Sequence, residues 1–150
     1  MENYEMKEMK YRGDGNSELL YYTKDEEGYG IAVINVRGSH PCGYITFPGI
    51  EKVNNYDAFT CYKENDAFGR IDIGPHYGYT FLGTLENNGL EGRWLGWDYA
   101  HLGDWVQSMP PEKDVFAHFG DKKHTTNEIA LSALAQIFYI KSGWYEYDEG

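Results

Sequence analysis

The sequence has few cysteines and no long apolar run, and both shortages exclude classes of protein. Its two cysteines, Cys42 and Cys61, match neither a C-x-x-C nor a zinc-ribbon spacing, so they favour free thiols in a reducing cytoplasm. No stretch approaches the roughly 18 apolar residues that a membrane-spanning helix needs. The first residues lack the basic start and apolar core of a signal peptide. We therefore expect a cytoplasmic protein with no membrane partner.

Basic residues are also scarce, with 13 Lys and Arg against 24 Asp and Glu and a net charge of −11. Because a basic face supplies most of the affinity for nucleic acids, the charge argues against direct nucleic-acid binding. The acidic surface is interpreted first as a source of solubility. The alternative is mimicry of a phosphate backbone, as in an acidic anti-CRISPR-type inhibitor of a nucleic-acid enzyme.

What the sequence has in abundance is aromatic side chains, which make up 17% of the chain and include 14 tyrosines. This content is high for a mean hydropathy of −0.63. Aromatic residues favour strands, so many of them are expected to cover a sheet. The alternative is that some line a pocket for a planar ligand.

Length and pattern predict one α+β domain over residues 1–150, with an acidic N-terminal region at 1–30 and an acidic tail at 144–150. We expect a mainly antiparallel sheet of about five strands. Short apolar or alternating runs indicate the strands, at 19–22, 31–36, 44–47, 69–74, 79–83 and 93–97. Residues 38–43 are predicted to form a turn, and a short helical turn is predicted around 56–61.

One C-terminal helix is predicted to pack on the sheet. Thr125 followed by Glu128 is a capping-box pattern that marks its first turn. The apolar residues that follow recur at helical spacing and predict the buried face, namely Ala130, Ala133, Leu134, Ile137 and Phe138.

The densest group of chemically active side chains is Asp98, His101 and Asp104, directly after an apolar strand. Spacings of three place them on one face if the segment is a helical turn. Asp–His pairs orient an imidazole or bind a metal. The alternative is structural, with Asp98 capping a turn and His101 bonding a backbone carbonyl. The pattern does not decide whether a metal binds.

Two further turns carry histidines. In the first, His40 lies two residues from Cys42, and Cys42 with His76 or His101 is the better candidate for a nucleophile–base pair. A buried Cys42 in a core strand is the favoured interpretation. In the second turn, His76 and Tyr77 suit a wall that contacts a ring or a phosphate, or else a β-turn with aromatic cladding. His118 and His124 form no constellation in the sequence.

Three arginines at predicted strand ends, Arg37, Arg70 and Arg93, are candidates for an anionic ligand, because the guanidinium donates two parallel hydrogen bonds. Ordinary surface ion pairs are the alternative. The sequence contains neither G-x-x-x-x-G-K-S/T nor G-x-G-x-x-G, so no nucleotide cofactor is expected.

Three segments together resemble a family of small, biochemically unassigned proteins encoded by bacteriophages and prophages. The segments are Gly38-x-His40-x-Cys42-Gly43-Tyr44, His76-x-Gly78 with Tyr79-Thr80-Phe81, and Trp94-x-Gly96-Trp97-Asp98-x-Ala100-His101-x-Gly103-Asp104. Tyr77 stands where the family's H-G-G motif has its first glycine. The resemblance implies a phage setting in a bacterial host and one site built from the three segments.

We therefore expect a counter-defence protein that binds and sequesters a small anionic ligand, such as a nucleotide immune signal, and favour binding over catalysis. A His/Asp-dependent hydrolase is a further alternative. Assembly into a homo-oligomer is compatible with the sequence. The expected ligand-binding residues are Arg37, His40, Tyr44, His76, Tyr77, Trp97, Asp98, His101 and Asp104.

Overall fold

The computed structural model describes residues 5–115, 118 and 120–147 and confirms the α+β class. Its strands form two antiparallel sheets, one of five strands in the order β1-β2-β3-β7-β6 and one of three in the order β5-β4-β8. The elements are β1 (Glu18–Lys24), β2 (Gly30–Val36), β3 (His40–Thr46), β4 (Phe59–Asn65), β5 (Gly69–Asp72), β6 (Phe81–Leu85), β7 (Leu90–Asp98), α1 (Thr126–Lys141) and β8 (Tyr145–Tyr147).

The centre of the five-stranded sheet is covered on both faces. One face packs on α1 through a cluster that includes Val33, Ile45, Trp97 and Ile129. The opposite face forms a second cluster around the fully buried Trp94. The continuous apolar run of β2 follows from this double burial, since neither of its faces meets water.

In the smaller sheet, β5 lies within the strand predicted at 69–74, whereas β4 and β8 lie where the sequence predicted other structure. The predicted helical turn at 56–61 is a short 3-10 turn at Tyr56–Ala58, after which β4 begins at Phe59. Within the acidic tail, β8 pairs with β4, and Phe59 stacks on Tyr145 at a centroid distance of 5.5 Å. Residues 148–150 of the tail lie outside the described residues. Strand pairing and aromatic stacking thus order part of the acidic tail.

Helix α1 begins as predicted but turns a different face to the sheet. Thr125 and Glu128 form the capping box, and Ala130, Ala133 and Ile137 are buried. The prediction for Leu134 and Phe138 was wrong, since they are 55% and 56% exposed. The buried stripe instead continues through Ile129, Gln136 and Ile140. Within the described residues, no helix is both long and apolar enough to cross a membrane.

The predicted turn at 38–43 is shorter than expected. Strand β3 already begins at His40, so the chain reverses within residues 37–39. Gly43 pairs with Trp97 across β3 and β7, and a Cβ at Gly43 would lie 2.5 Å from the Trp97 ring. Only glycine therefore lets the indole close the core at this point. The pairing aligns His40 and Cys42 with the end of β7, where the predicted site begins.

Candidate metal centre

The side chain of Asp104 is the centre of a cluster of histidines. His76 Nε2 lies 2.9 Å from Asp104 Oδ2, and His124 Nε2 lies 2.8 Å from Asp104 Oδ1. The Asp104 side chain is only 3% exposed, against 27% for His76 and 11% for His124. One ligand atom from each of these three residues fits within 4.8 Å of the other two. The fold thus gathers two imidazole nitrogens and a carboxylate around one point.

Three separate segments supply these residues. His76 lies in the loop between β5 and β6, Asp104 ends the turn that follows β7, and His124 precedes α1. Asp104 and Lys122 form a parallel bridge, in which the Lys122 amide donates to the Gly103 carbonyl at 2.8 Å and the Trp105 amide donates to the Lys122 carbonyl at 2.9 Å. This backbone contact places His124 opposite Asp104.

The aromatic ring of Tyr99 supports both imidazoles from below. It stacks on His76 at 4.7 Å and lies 4.6 Å from the His124 ring. Tyr99 is itself held by the Trp97 indole N–H, which donates to its hydroxyl at 2.9 Å. Because the rings are packed before any ligand arrives, little conformational entropy remains to be lost on binding.

The Asp104 carboxylate stays ionised although it is buried. Burial by itself raises the pKa of Asp104, but the His101 amide and the imidazoles of His76 and His124 stabilise the charged form. Their combined effect lowers the pKa of Asp104 below its ordinary value. A buried anion held by imidazoles is the electrostatic setting that a cation requires.

Asp98 and His101 stand beside this cluster. After Asp98 ends β7, the segment to Asp104 forms a turn and not a helix. The turn nevertheless brings the side chains of Asp98, His101 and Asp104 together. His101 Nδ1 lies 3.4 Å from Asp98 Oδ1 and 3.8 Å from Asp104 Oδ2. Asp98 is fixed by the Thr80 hydroxyl and the Ala100 amide, at 2.9 and 3.1 Å.

The other predicted residues of β3 and β7 line a neighbouring cleft of about 380 Å³. His40, Tyr44, Trp97 and Asp98 contribute to its lining, together with Cys42. Burial lowers the pKa of His40 and raises the pKa of the Cys42 thiol to about 12. Cys42 is therefore a buried, protonated thiol, as its favoured interpretation states, and Trp97 at 1% exposure belongs to the core.

The arginines do not converge on Asp104. Arg37 is exposed in the turn before β3, with a positive φ of 56°. Arg70 pairs with Glu146 at 2.7 Å, and Arg93 donates to the Glu51 carbonyl at 3.3 Å. Surface pairing explains the latter two.

His124 is the functional residue that sequence reasoning missed. It follows Asp104 by 20 residues, and His76 precedes Asp104 by 28, so local spacing carries no sign of the cluster. Its one local signal is its place directly before the Thr125 capping box, which fixes the backbone there. His118, the other unassigned histidine, pairs instead with Asp114 at 2.8 Å.

No protein-family model, curated protein or solved structure matches this chain. The site is therefore interpreted from its own geometry.

Proposed function

We propose that this protein holds a divalent transition-metal ion of the zinc class through His76, Asp104 and His124, and uses the ion to capture a small anionic ligand. The observation that carries the proposal is the convergence of two imidazole nitrogens and a buried carboxylate within 4.8 Å. The phage setting implied by the sequence resemblance makes sequestration of a signalling ligand the corresponding biological role.

The donor set suits such an ion. Imidazole and carboxylate are standard zinc ligands at about 2.0–2.2 Å, which places tetrahedral ligand atoms roughly 3.3 Å apart. The N···O distances here are 2.8 Å for His124 and 2.9 and 3.1 Å for His76. An ion would need these nitrogen–oxygen pairs to separate by only a few tenths of an ångström, and it would need the two imidazole nitrogens, which lie within 4.8 Å of each other, to reach the same spacing. Three protein ligands also leave a coordination position open to another molecule.

The ion would supply the positive charge that an anionic ligand needs. The protein carries a net charge of −11, and Arg70 and Arg93 are engaged by Glu146 and by the Glu51 carbonyl. A dication more than offsets the charge of the Asp104 carboxylate, which favours an anion at the open position. Glu128, whose carboxylate lies 3.8 Å from His124 Nδ1, is itself paired with Lys122 at 2.7 Å. Without the ion, the buried carboxylate would repel the same ligand.

Metal binding is tested by zinc titration calorimetry on the purified protein and three variants. We expect one zinc per chain in the wild type, and a loss of affinity of about 100-fold in His76→Gln and in His124→Gln. His118→Gln is the matched control, since His118 also lies 2.8 Å from an aspartate yet outside the cluster, and it should bind zinc normally. Equal zinc affinity in all four proteins, or none in any, would contradict the proposal.

Ligand capture is tested by native mass spectrometry of the protein taken from cells infected with a phage that encodes it. We expect a retained anionic small molecule that denaturation releases unchanged. The His124→Gln variant should lose both the metal and this molecule. A wild-type protein that carries zinc and no anionic ligand would contradict sequestration while leaving the metal site intact.

Metal-assisted hydrolysis is a second candidate, and one observation favours it. His101 Nδ1 is buried and has no hydrogen-bond partner among the described residues, although it faces the carboxylates of Asp98 and Asp104. If the Asp98 carboxylate, 3.4 Å away, closed on Nδ1, it would orient the imidazole and leave Nε2 to accept a proton from a metal-bound water. Release of p-nitrophenolate from bis(p-nitrophenyl) phosphate by the zinc-loaded protein, but not by His101→Gln, would support this candidate.

A further inference from the structure

Tyr77 directly follows the proposed metal ligand His76, and metal binding does not explain its backbone conformation. It is a non-glycine residue with a φ of 57°, a left-handed conformation that costs an L-amino acid on the order of 1 kcal/mol. Its side chain is also 62% exposed, so burial does not account for the conformation. Residues held in sparsely populated backbone conformations cluster at functional sites.

The position of the Tyr77 ring relates it directly to the metal ligands. The ring stacks on His101 at 4.2 Å with an interplanar angle of 9°, and it meets the His76 ring edge-on at 4.7 Å. A zinc ion on His76 Nε2 would therefore lie within about 8 Å of the Tyr77 ring centre, given a Zn–N distance of about 2.1 Å. A ligand whose charged group binds the ion could therefore also place a ring on Tyr77.

The rim beside Tyr77 is apolar as well. Leu102 is 95% exposed, and its carbonyl accepts a hydrogen bond from the Tyr77 hydroxyl at 3.4 Å. This bond and the stacking on His101 hold the ring in one orientation. A ligand at the open metal position would thus have a fixed aromatic surface beside it.

We propose that Tyr77 is a stacking platform for a planar ring in the ligand, so that the anion captured by the metal is a nucleotide rather than a simple phosphate. The phosphate would occupy the open metal position, and the base would lie on the accessible surface of Tyr77. This inference rests on the proposed metal site. Stacking of a base on an aromatic side chain contributes about 1–3 kcal/mol, or roughly 5- to 150-fold in affinity.

The test compares three probes on the zinc-loaded protein by calorimetry, namely adenosine monophosphate, ribose 5-phosphate and inorganic phosphate. We expect adenosine monophosphate to bind at least 10-fold more tightly than ribose 5-phosphate. Tyr77→Gly should abolish that advantage without weakening ribose 5-phosphate, because glycine adopts a φ of 57° freely and the metal ligands remain. Tyr77→Phe should keep the advantage.

Phe68→Ala is the control for general loss of an aromatic ring, since Phe68 is 80% exposed in the turn between β4 and β5. It should leave all three affinities unchanged. Equal binding of adenosine monophosphate and ribose 5-phosphate to a protein that does bind zinc would overturn the stacking inference alone. Failure to bind zinc would overturn the proposed function, and the inference with it.

Discussion

Two aspartates in this molecule each accept hydrogen bonds from two side chains, and only one of the two groups is suited to a metal. Asp104 accepts from His76 and His124, whereas Asp114 accepts from His118 and from the Gln107 amide at 2.8 Å. An imidazole can lose its proton and offer a lone pair to a cation, but an amide nitrogen only donates. The identity of the second donor therefore separates a candidate metal centre from a structural contact.

The largest expected effect comes from removing the charge of each aspartate. Asp104→Asn should lower the free energy of unfolding by about 3 kcal/mol, because three donors lose their charged acceptor. Asp114→Asn should cost less, about 1 kcal/mol, since one of its described donors is the neutral amide of Gln107. Urea denaturation of both variants measures the difference. Equal losses would show that the two groups are energetically alike.

Zinc should distinguish the two groups next. At a free concentration 100 times its Kd, zinc stabilises the native state by about 2.7 kcal/mol, which raises the Tm of a chain of this size by roughly 5–10 °C. We expect this increase in the wild type and in His118→Gln. Differential scanning calorimetry of His124→Gln at the same zinc concentration should show an increase of only about 1 °C, because a 100-fold weaker site is half occupied. A zinc-induced rise in that variant as large as that of the wild type would place the ion elsewhere.

The stability of the region around Asp104 and His124 should also depend on pH, through Tyr11. Burial raises the pKa of Tyr11 to about 12, and its hydroxyl donates to the His124 carbonyl at 3.1 Å. The pKa of Tyr11 in the folded protein lies above the unfolded value of about 10. The stabilisation of the fold by the protonated Tyr11 hydroxyl is therefore complete below pH 10 and is lost as the pH rises toward 12. The free energy of unfolding of Tyr11→Phe should therefore fall below that of the wild type at pH 9, and this difference should shift in favour of the variant by on the order of 2 kcal/mol as the pH rises toward 12.

Chemical denaturation at pH 9 and pH 11.5 measures the effect, with Tyr56→Phe as a control at an exposed tyrosine. A deficit in Tyr11→Phe that is the same at both pH values would mean that Tyr11 ionises equally easily in the folded and unfolded chains.

The smallest effect is expected at Lys122, which joins the two groups along the chain. Its backbone holds the bridge to Asp104, but its side chain makes only an exposed ion pair with Glu128 at 2.7 Å. Lys122→Gln should cost less than about 0.5 kcal/mol and leave zinc affinity unchanged. A large change in calorimetric zinc affinity would show that the side chain, and not the backbone, positions His124.

The sequence predicted those parts of the fold that rest on local pattern. The apolar run of β2 and the Thr125 capping box were recognised because burial and capping act within a few residues. Strands β4 and β8 were missed because their mixed polar composition gives no clear period, and they are ordered by pairing with each other. Helix periodicity also left the choice of buried face open by one residue position, which put Phe138 on the wrong side.

The sequence likewise predicted only the local part of the candidate site. Asp98, His101 and Asp104 share one turn, so their proximity follows from local sequence. His76 was recognised as a site residue, but its contact with Asp104 depends on how β6 and β7 pair. His124 required the bridge between Asp104 and Lys122, a tertiary contact with no sequence signature. The candidate metal-binding set therefore became apparent only from the tertiary structure.

The bridge that brings these segments together also bears on how the chain folds. An ion on His76, Asp104 and His124 would act as a removable cross-link, closing chain loops of 28 and 20 residues. Such closure lowers the entropy of the unfolded chain, as a disulfide does, yet in a reducing compartment it needs no oxidation. Metal supply, rather than redox state, would then set the lifetime of the folded protein.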